Sequence, residues 1–341
     1  MVLGMMMGSA YAQGWAPPAS VAVSLALLQR SALPAEPLHA VITIRNQSGQ
    51  ALKLSFEPSG DVLGPWSDVP ALLLSSDGGT KPAYCIQTAH TMMADFALHA
   101  EDGGYWTPPG KSIQFDVVFD LPKPDGVQPG SYAVTAHYEA PGRHLGQEGG
   151  IVSQPNDAYY VCNQCWAGTV DSSPVQVTVE APTGVDAAAY QAFKGNPLAH
   201  PVDLLRRFPT STYAAYVVYG VMHGFAGGDQ PMFLRSIETG SYLSNSYPDD
   251  TGKSKDGWRS LSGEQAAQWW VKWINIILSN HPDIWFADRL RLKRAVDQVA
   301  LKNYQVGAAD LQTLSQQAKP DVAQKAQAIL GEMKQKGWIQ N

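Results

Sequence analysis

Apolar and polar residues alternate along much of the first half of the chain, and this pattern predicts short, half-buried strands. Six segments carry it clearly: Val21–Leu28, Leu38–Arg45, Leu52–Phe56, Ile113–Phe119, Tyr132–Tyr138 and Val175–Val179. Between Glu57 and Gly110, Gly and Pro interrupt the pattern repeatedly. There we predict only two short strands, Ala71–Leu74 and Asp95–Leu98, joined by long loops.

The pattern changes to a helical period after the break at Ala181–Gly184, and Asp186 is a suitable N-cap for the first helix. Within the longest helical stretch, Trp270, Trp273, Ile274 and Ile277 fall on one face. The predicted helices are Asp186–Phe193, Pro201–Arg207, Tyr213–Gly220, Met232–Ile237, Gly263–Ser279, Pro282–Asn303, Ala308–Gln317 and Asp321–Lys336.

A chain of 341 residues is long enough for two domains, and no run of apolar residues is long enough for a transmembrane span. Charge divides unevenly between the halves. Residues 15–182 hold 7 Lys and Arg against 16 Asp and Glu, whereas residues 183–341 hold 17 against 14. The absence of a strong basic stripe argues against a nucleic-acid partner.

The N-terminal residues 1–14 resemble the end of a secretory signal peptide. Val2–Met7 is short and apolar, and Ala10-Tyr11-Ala12 has the form of a signal-peptidase site. A disordered tail is the alternative. The signal reading predicts a periplasmic or secreted protein.

The turn and strand signals of residues 15–182 resemble those of bacterial secreted immunoglobulin-like domains. The resemblance rests on Pro108-Pro109-Gly110, Pro129-Gly130-Ser131-Tyr132 and the run from Trp166 to Val175. It implies an all-β immunoglobulin-like sandwich, with Tyr132 in the position of a tyrosine corner. A fold of this kind serves many functions, so it implies no activity.

Two segments of the second half share the pattern aromatic-Pro-x-x-x-aromatic-Ala: Phe208–Ala214 and His281–Ala287. Their separation of 73 residues is about two repeats of a helical hairpin. Residues 183–341 therefore resemble the tetratricopeptide-type repeat domains of bacterial periplasmic scaffold proteins. The resemblance implies an all-α array of helical hairpins.

The three cysteines, Cys85, Cys162 and Cys165, are best explained by a disulfide in an oxidising compartment. A bridge from Cys85 to Cys162 or Cys165 would close a long loop, and we favour it over a Cys162–Cys165 bridge. A redox site is disfavoured because the cysteine pair lies among strand-like residues rather than at a helix N-terminus. Zinc is disfavoured because no second ligand pair has suitable spacing.

Familiar catalytic and cofactor-binding signatures are missing, so the sequence predicts no enzyme, no cofactor and no metal site. His39 and His137 fall on outward strand positions and are expected to be solvated. The Asp249–Gly257 loop lacks the acid spacing of a calcium loop and is also expected to be solvated. The solvent-exposed face of the predicted helix Pro282–Asn303 is expected to be formed by Arg289, Arg291, Lys293 and Arg294.

Aromatic residues of the helical half are candidates for a binding surface, although aromatic residues at helical spacing more commonly build a core. Trp269 departs from the apolar stripe and is the one expected to be exposed. Trp285 and Tyr216 complete the candidate set.

These features favour a non-catalytic protein that binds a protein or peptide partner, or acts as a scaffold, in the bacterial cell envelope. A carbohydrate-binding or accessory module beside a secreted enzyme is the alternative. A hydrolase site hidden in the insertion Gly227–Ser260 is a weaker third hypothesis.

Overall fold

The structure is a computed structural model that describes residues 20–55, 71–76, 79–95, 97, 100–101, 104–120, 127–140, 152–154, 157–159, 165–225, 246–253 and 258–340. These residues form two compact units. The first unit takes those within Met1–Arg30, Leu38–Asp120 and Ser131–Thr178, and the second takes those within Ser31–Pro37, Leu121–Gly130 and Val179–Asn341. Antiparallel strands dominate the first unit and α-helices the second. The boundary predicted between residues 182 and 183 stays a prediction.

Sixteen strands lie in the described residues. They are β1 (Val21–Leu27), β2 (Ser31–Ala32), β3 (Leu38–Asn46), β4 (Leu52–Ser55), β5 (Ala71–Ser76), β6 (Gly79–Ala94), β7 (Ala100–Glu101), β8 (Gly104–Thr107), β9 (Ser112–Asp120), β10 (Gly130–Ala140), β11 (Val152–Gln154), β12 (Asp157–Tyr159), β13 (Gly168–Asp171), β14 (Val175–Val179), β15 (Ser246–Pro248) and β16 (Trp258–Ser260).

The main sheet of the first unit has the order β1-β3-β9-β6-β5-β10-β14, with β13 also paired to β10. Its core lies on the faces that the alternation predicts. Leu38, Ala40, Ile42 and Ile44 on β3 are fully buried, and they pair in register with the buried apolar residues of β9. Burial of this kind contributes about 25 cal/mol per Å² of apolar surface removed from water. The immunoglobulin-like assignment itself stays a prediction, and so does the role of the half-buried Tyr132.

Strand β6 is the largest departure of the first unit from the sequence prediction, which placed long loops there. Its first residues, Gly79–Ala83, pair with β5, and Tyr84–Ala94 pair with β9. The register shifts near Cys85 and again before Thr91, so a simple period of two is not visible in the sequence. Of the strand predicted at Asp95–Leu98, the structure describes residues 95 and 97, and neither lies in a strand. The chain bends at Asp95, whose carboxylate accepts a hydrogen bond from the Ser112 N–H (3.0 Å).

A buried asparagine fixes the turn after β3. Asn46 is fully buried, and its side-chain amide donates to the carbonyls of Gln50 and Thr107 (both 2.8 Å). Its Oδ1 accepts from both the N–H and the hydroxyl of Ser48 (2.9 and 2.7 Å). The side chain thus replaces the backbone partners that the turn cannot supply.

Seven α-helices lie in the described part of the second unit. They are α1 (Gly184–Ala192), α2 (Pro201–Arg207), α3 (Thr212–Phe225), α4 (Gly263–Asn280), α5 (Ala287–Ala300), α6 (Tyr304–Gln317) and α7 (Pro320–Gln335), with a 3₁₀ turn at Pro197–Ala199. These bounds agree with the predicted helices to within a few residues. The helix predicted at Met232–Ile237 lies outside the described residues.

The predicted N-cap role of Asp186 is wrong, since α1 begins two residues earlier. Its carboxylate instead accepts two hydrogen bonds at the start of α3, from the N–H (2.7 Å) and the hydroxyl (2.9 Å) of Thr212. Ser211 caps the same helix, because its hydroxyl accepts from the Ala214 N–H (3.1 Å). Two side chains therefore satisfy the first amides of α3.

Helices α4 to α7 contact one another in chain order, α4 with α5, α5 with α6 and α6 with α7. Connections of only a few residues between α5, α6 and α7 make these neighbours antiparallel. Gly337 has a φ of +69° just after α7, where the Trp338 N–H bonds the Met333 carbonyl (3.0 Å), so this glycine caps the helix. The array of hairpins is present; its tetratricopeptide-like identity stays a prediction.

Helices α5 and α6 approach closely at Gly307, and this contact yields a matched pair of expected results. A Cβ at Gly307 would lie 2.8 Å from both the Ala295 carbonyl and a Val299 methyl, whereas nothing lies within 4 Å of one at Gly331 in α7. Ala in a helix gains roughly 1 kcal/mol over Gly, so we expect Gly331→Ala to raise stability by about that amount. Gly307→Ala should lower it by about 1 kcal/mol, because crowding outweighs that gain.

Urea unfolding of the two variants measures this difference. A Gly307→Ala protein as stable as Gly331→Ala would contradict the close approach of α5 and α6.

Candidate functional site

The structure brings together two of the three predicted binding residues, Tyr216 of α3 and Trp285 just before α5. The Trp285 Nε1–H donates to the Tyr216 hydroxyl at 3.0 Å. Tyr216 is buried (5% exposed), while Trp285 is half-buried and so reaches the surface. The third residue, Trp269, lies elsewhere in the unit.

A short segment from early in the chain, Ser31–Pro37, belongs to this second unit and contacts the same residues. The Tyr216 hydroxyl donates to Glu36 Oε1 at 2.6 Å, and the Tyr213 hydroxyl donates to the Pro34 carbonyl at 2.8 Å. Residues Pro34 to Pro37 are all buried. We call this stretch the 31–37 segment. Sequence reasoning missed it, because a short run with two prolines between strands is typical of a loop.

The 31–37 segment forms a tight turn closed at both ends. The Glu36 N–H bonds the Leu33 carbonyl (3.0 Å), and Glu36 Oε2 accepts from the Leu33 N–H (2.7 Å). Ala35, the third residue of this turn, has a φ of +65°. A Pro followed by a residue with positive φ is typical of a type II turn, in which that residue is normally Gly or Asn.

Further aromatic rings pack against Tyr216 and its neighbours on α3. Phe286 is buried; it stacks on Tyr219 with 4.3 Å between ring centroids and meets Tyr216 edge-on at 5.3 Å. The half-buried Arg289 donates to the Tyr219 hydroxyl at 3.0 Å. We call the set Tyr213, Tyr216, Tyr219, Trp285, Phe286 and Arg289 the tyrosine face.

Tyr213, Tyr216 and Tyr219 recur at intervals of three residues along α3, and this spacing is the sequence signal that could have located the face. Chemically, the face offers hydroxyl and indole donors on an apolar support. Such an arrangement suits binding of a carboxylate and a backbone carbonyl, because both groups accept hydrogen bonds and the phenol and indole groups donate them.

The two repeated segments of the helical half have the same local structure. In each, the N–H of the fourth residue bonds the carbonyl of the first, at 3.1 Å in Phe208–Ala214 and 3.3 Å in His281–Ala287. The N–H of the last residue then bonds the carbonyl of the fourth, at 3.0 and 2.7 Å. The copies also touch, since His281 Nε2 lies 2.9 Å from the Thr210 carbonyl. The tyrosine face is therefore assembled from two copies of one turn-helix motif.

Burial raises the pKa of the Tyr213 phenol strongly, and the nearby charge of Asp186 raises it further. Burial likewise raises the pKa of Tyr247, although a hydrogen bond with Trp270 partly offsets this. Both phenols keep their protons in the folded state at pH values where the unfolded chain, with an ordinary pKa of 10.0, ionises. Their contribution to stability is therefore complete below pH 10 and is lost as pH rises.

We expect the stability advantage of wild type over Tyr213→Phe to shrink above pH 10. At pH 7 the variant should lose about 1 kcal/mol with the hydrogen bond to Pro34. Above pH 10 the wild type alone should lose a further ~1.4 kcal/mol per pH unit from this phenol. Urea unfolding at pH 7, 10 and 11 measures both effects; a constant difference would show that Tyr213 titrates normally.

The predicted exposure of Trp269 is wrong: it is only 3% exposed. Tyr247 on β15 packs against its ring at 5.2 Å, and Trp270 and Trp273 lie on its other sides at 5.0 and 6.1 Å. A strand some twenty residues upstream thus covers a position that the helix alone leaves outside the apolar stripe. Trp269 belongs to the core.

The predicted solvent exposure of Lys293 is also wrong. Its side chain is 6% exposed, and Nζ bonds both carboxylate oxygens of Asp297 at 2.6 Å. The ammonium lies 4.6 Å from the ring centroid of Trp270. Burial lowers the pKa of Lys293, while Asp297 acts to raise it. Lys293 and Asp297 are both buried on α5, and their ion pair has a structural role.

The solvated position predicted for His39 is wrong, and the solvation predicted for the Asp249–Gly257 loop is only partly right. His39 is 2% exposed, and its backbone N–H donates to the Gln29 Oε1 at 2.6 Å. In the Asp249–Gly257 loop, residues 251–253 are exposed as predicted and residues 254–257 lie outside the described residues. Asp249, however, is 1% exposed, and Asp250 bonds Arg259 (2.8 Å) and Lys272. These ion pairs tie β15 and β16 to α4. His137 is half-buried and bonds the Asp171 carboxylate at 2.6 Å.

Cys165 is buried and disulfide-bonded. Its partner is not among the described side chains: Cys85 lies on β6 by its backbone, and Cys162 lies outside the described residues. The predicted pairing with Cys85 stays a prediction. Most of the insertion Gly227–Ser260 also lies outside the described residues, so the hydrolase hypothesis is untested.

Within the described ranges, His, Cys, Asp and Glu side chains nowhere gather in threes as a metal site would need. None of the described helices combines the length and apolarity that a bilayer crossing requires.

Comparison with known proteins adds little to this picture. No family model matches the chain, and no curated protein matches it. A solved structure of a candidate lipoprotein, YcdA from Bacillus subtilis, is similar over 92% of this chain and 82% of its own, at 11% identity and a TM-score of 0.17. At that TM-score the likeness carries no argument about fold or function.

Proposed function

We propose that the chain is a non-catalytic binding protein of the bacterial cell envelope, and that its helical unit recognises a protein or peptide partner through the tyrosine face. The observation that carries this proposal is the binding of a distant turn of the chain, the 31–37 segment, by the phenols of Tyr213 and Tyr216. A face that holds one short segment by a side chain and a carbonyl has the chemistry needed to hold another.

The arrangement of helices α4 to α7 supports the same function. Antiparallel hairpins that contact one another in chain order are typical of arrays that offer an extended binding surface to a partner. The envelope location rests on the signal-like residues 1–14 of the sequence.

Capture from a bacterial envelope extract on the immobilised full chain tests the proposal. Two half-buried tryptophans of the helical unit give a matched pair: Trp285 in the tyrosine face, and Trp338, which stacks on Tyr304 at 5.0 Å. We expect a protein that wild type and Trp338→Ala retain and that Trp285→Ala retains about tenfold less. Equal capture by all three, or capture by none, would reject the proposal.

A glycan array run in parallel distinguishes protein binding from the alternative function, carbohydrate binding. Binding of a glycan without capture of any protein would favour the carbohydrate-binding hypothesis instead.

A further inference from the structure

We infer that the tyrosine face recognises a specific class of ligand, a tight turn with a carboxylate flanked by prolines, and that the 31–37 segment occupies it in cis. The inference rests on the proposed function and goes beyond it by naming the ligand class and a built-in competitor. The chain would thus be autoinhibited, and a partner would bind by displacing its own segment.

The tyrosine face contacts both the backbone and one side chain of the 31–37 segment. Tyr213 donates to the backbone carbonyl of Pro34, which any sequence could offer. Tyr216 donates to the carboxylate of Glu36, which selects an acidic residue, and Trp285 orients the Tyr216 hydroxyl by donating to it. These residues lie 179 and 180 positions away from their partners, so the contacts are not a by-product of local chain geometry.

The conformation of the segment supports recognition by the face. Ala35 at a φ of +65° occupies a region that alanine disfavours and glycine accepts. It is nevertheless buried (5% exposed), with Pro before it and Glu after it. The surrounding contacts therefore impose the turn on a sequence that is not ideal for it. A ligand in trans that places Gly at this position would form the same turn more readily and would compete well.

Occupation in cis lowers the apparent affinity for any such ligand. The apparent dissociation constant rises in inverse proportion to the fraction of molecules whose face is open. Weakening the contact of Glu36 should raise that fraction, whereas weakening Tyr216 removes the donor that both ligands need.

The test uses the full chain and a labelled peptide, Ser-Ala-Leu-Pro-Ala-Glu-Pro-Leu, that copies residues 31–38. Fluorescence anisotropy should show binding to Glu36→Gln at least about tenfold tighter than to wild type. Against Glu36→Gln, a peptide with Gln for Glu should bind about tenfold more weakly, and one with Gly for Ala several-fold more tightly. Adding Tyr216→Phe should abolish the preference for Glu over Gln.

Failure of the peptide to bind Glu36→Gln at about 1 mM, the level of very weak affinity, would overturn the inference. Failure of Glu36→Gln to fold, judged by circular dichroism, would overturn it equally, because a displaceable ligand is not needed for folding. Capture of a Trp285-dependent envelope protein that the peptide does not compete away would leave the proposed function standing and reject only this inference.

Discussion

Asp297→Asn should destabilise the protein by about 3–5 kcal/mol. The substitution keeps the shape of the side chain but leaves the ammonium of Lys293, 6% exposed, without its counter-charge. A buried charge whose partner is removed costs several kcal/mol, whereas the intact pair need not stabilise at all. Asp297 also acts to raise the pKa of Lys293, so its loss should drive that lysine toward its neutral form.

The control is the double variant Lys293→Met/Asp297→Leu, which replaces the pair by apolar residues of similar size. We expect its stability to fall within about 1 kcal/mol of wild type or above it. Urea unfolding at pH 7 measures all three proteins. A loss below about 1 kcal/mol for Asp297→Asn would mean that water reaches Lys293 and that the pair is not buried in solution.

Phe286→Ala should cost about 3–5 kcal/mol, the usual range for removing a fully packed aromatic ring. Its ring is 1% exposed and contacts those of Tyr219, Trp285 and Tyr216 at 4.3, 4.9 and 5.3 Å between centroids. The substitution would leave a cavity beneath the tyrosine face, so loss of stability and loss of binding should occur together.

Val306→Ala serves as the control for Phe286→Ala, because Val306 is 52% exposed in the same unit. We expect it to change stability by less than about 0.5 kcal/mol. If Phe286→Ala lost no more than about 1 kcal/mol, the aromatic support of the face would have to be looser than the structure shows.

The strands and helices that the sequence predicted well share a simple origin. On β3 and β9, alternate residues face a core, so the period of two is written directly in Leu38, Ala40, Ile42 and Ile44. Helices α2 and α4 begin at residues that favour a helix start. Helix α2 starts at Pro201, and Ser262 with Gln265 forms a capping box at the start of α4. In these segments local chemistry and tertiary packing demand the same pattern.

The sequence predictions failed where residues far away in the chain determine strand pairing or burial. Strand β6 changes partner along its length, so neither half shows a full period. Trp269 and Lys293 are buried by Tyr247 and Trp270, and a helical projection of their own segments contains neither contact. Glu36 was not predicted as a site residue for the same reason: its partner Tyr216 is 180 residues away. The candidate site was therefore predicted only in part, through Tyr216 and Trp285.

The discontinuity of the second unit has a consequence for the order of events during synthesis. The 31–37 segment leaves the ribosome about 180 residues before Tyr213 and Tyr216, which at roughly 5–20 residues per second is on the order of ten seconds or more. Throughout that interval its buried prolines and Glu36 have no tyrosine face to bind. Closing so long a loop costs about 4–5 kcal/mol in chain entropy. We therefore expect this contact to form late, after the helices have assembled around Tyr213, and a nascent chain to pass through a stage in which its acidic turn is open to other proteins.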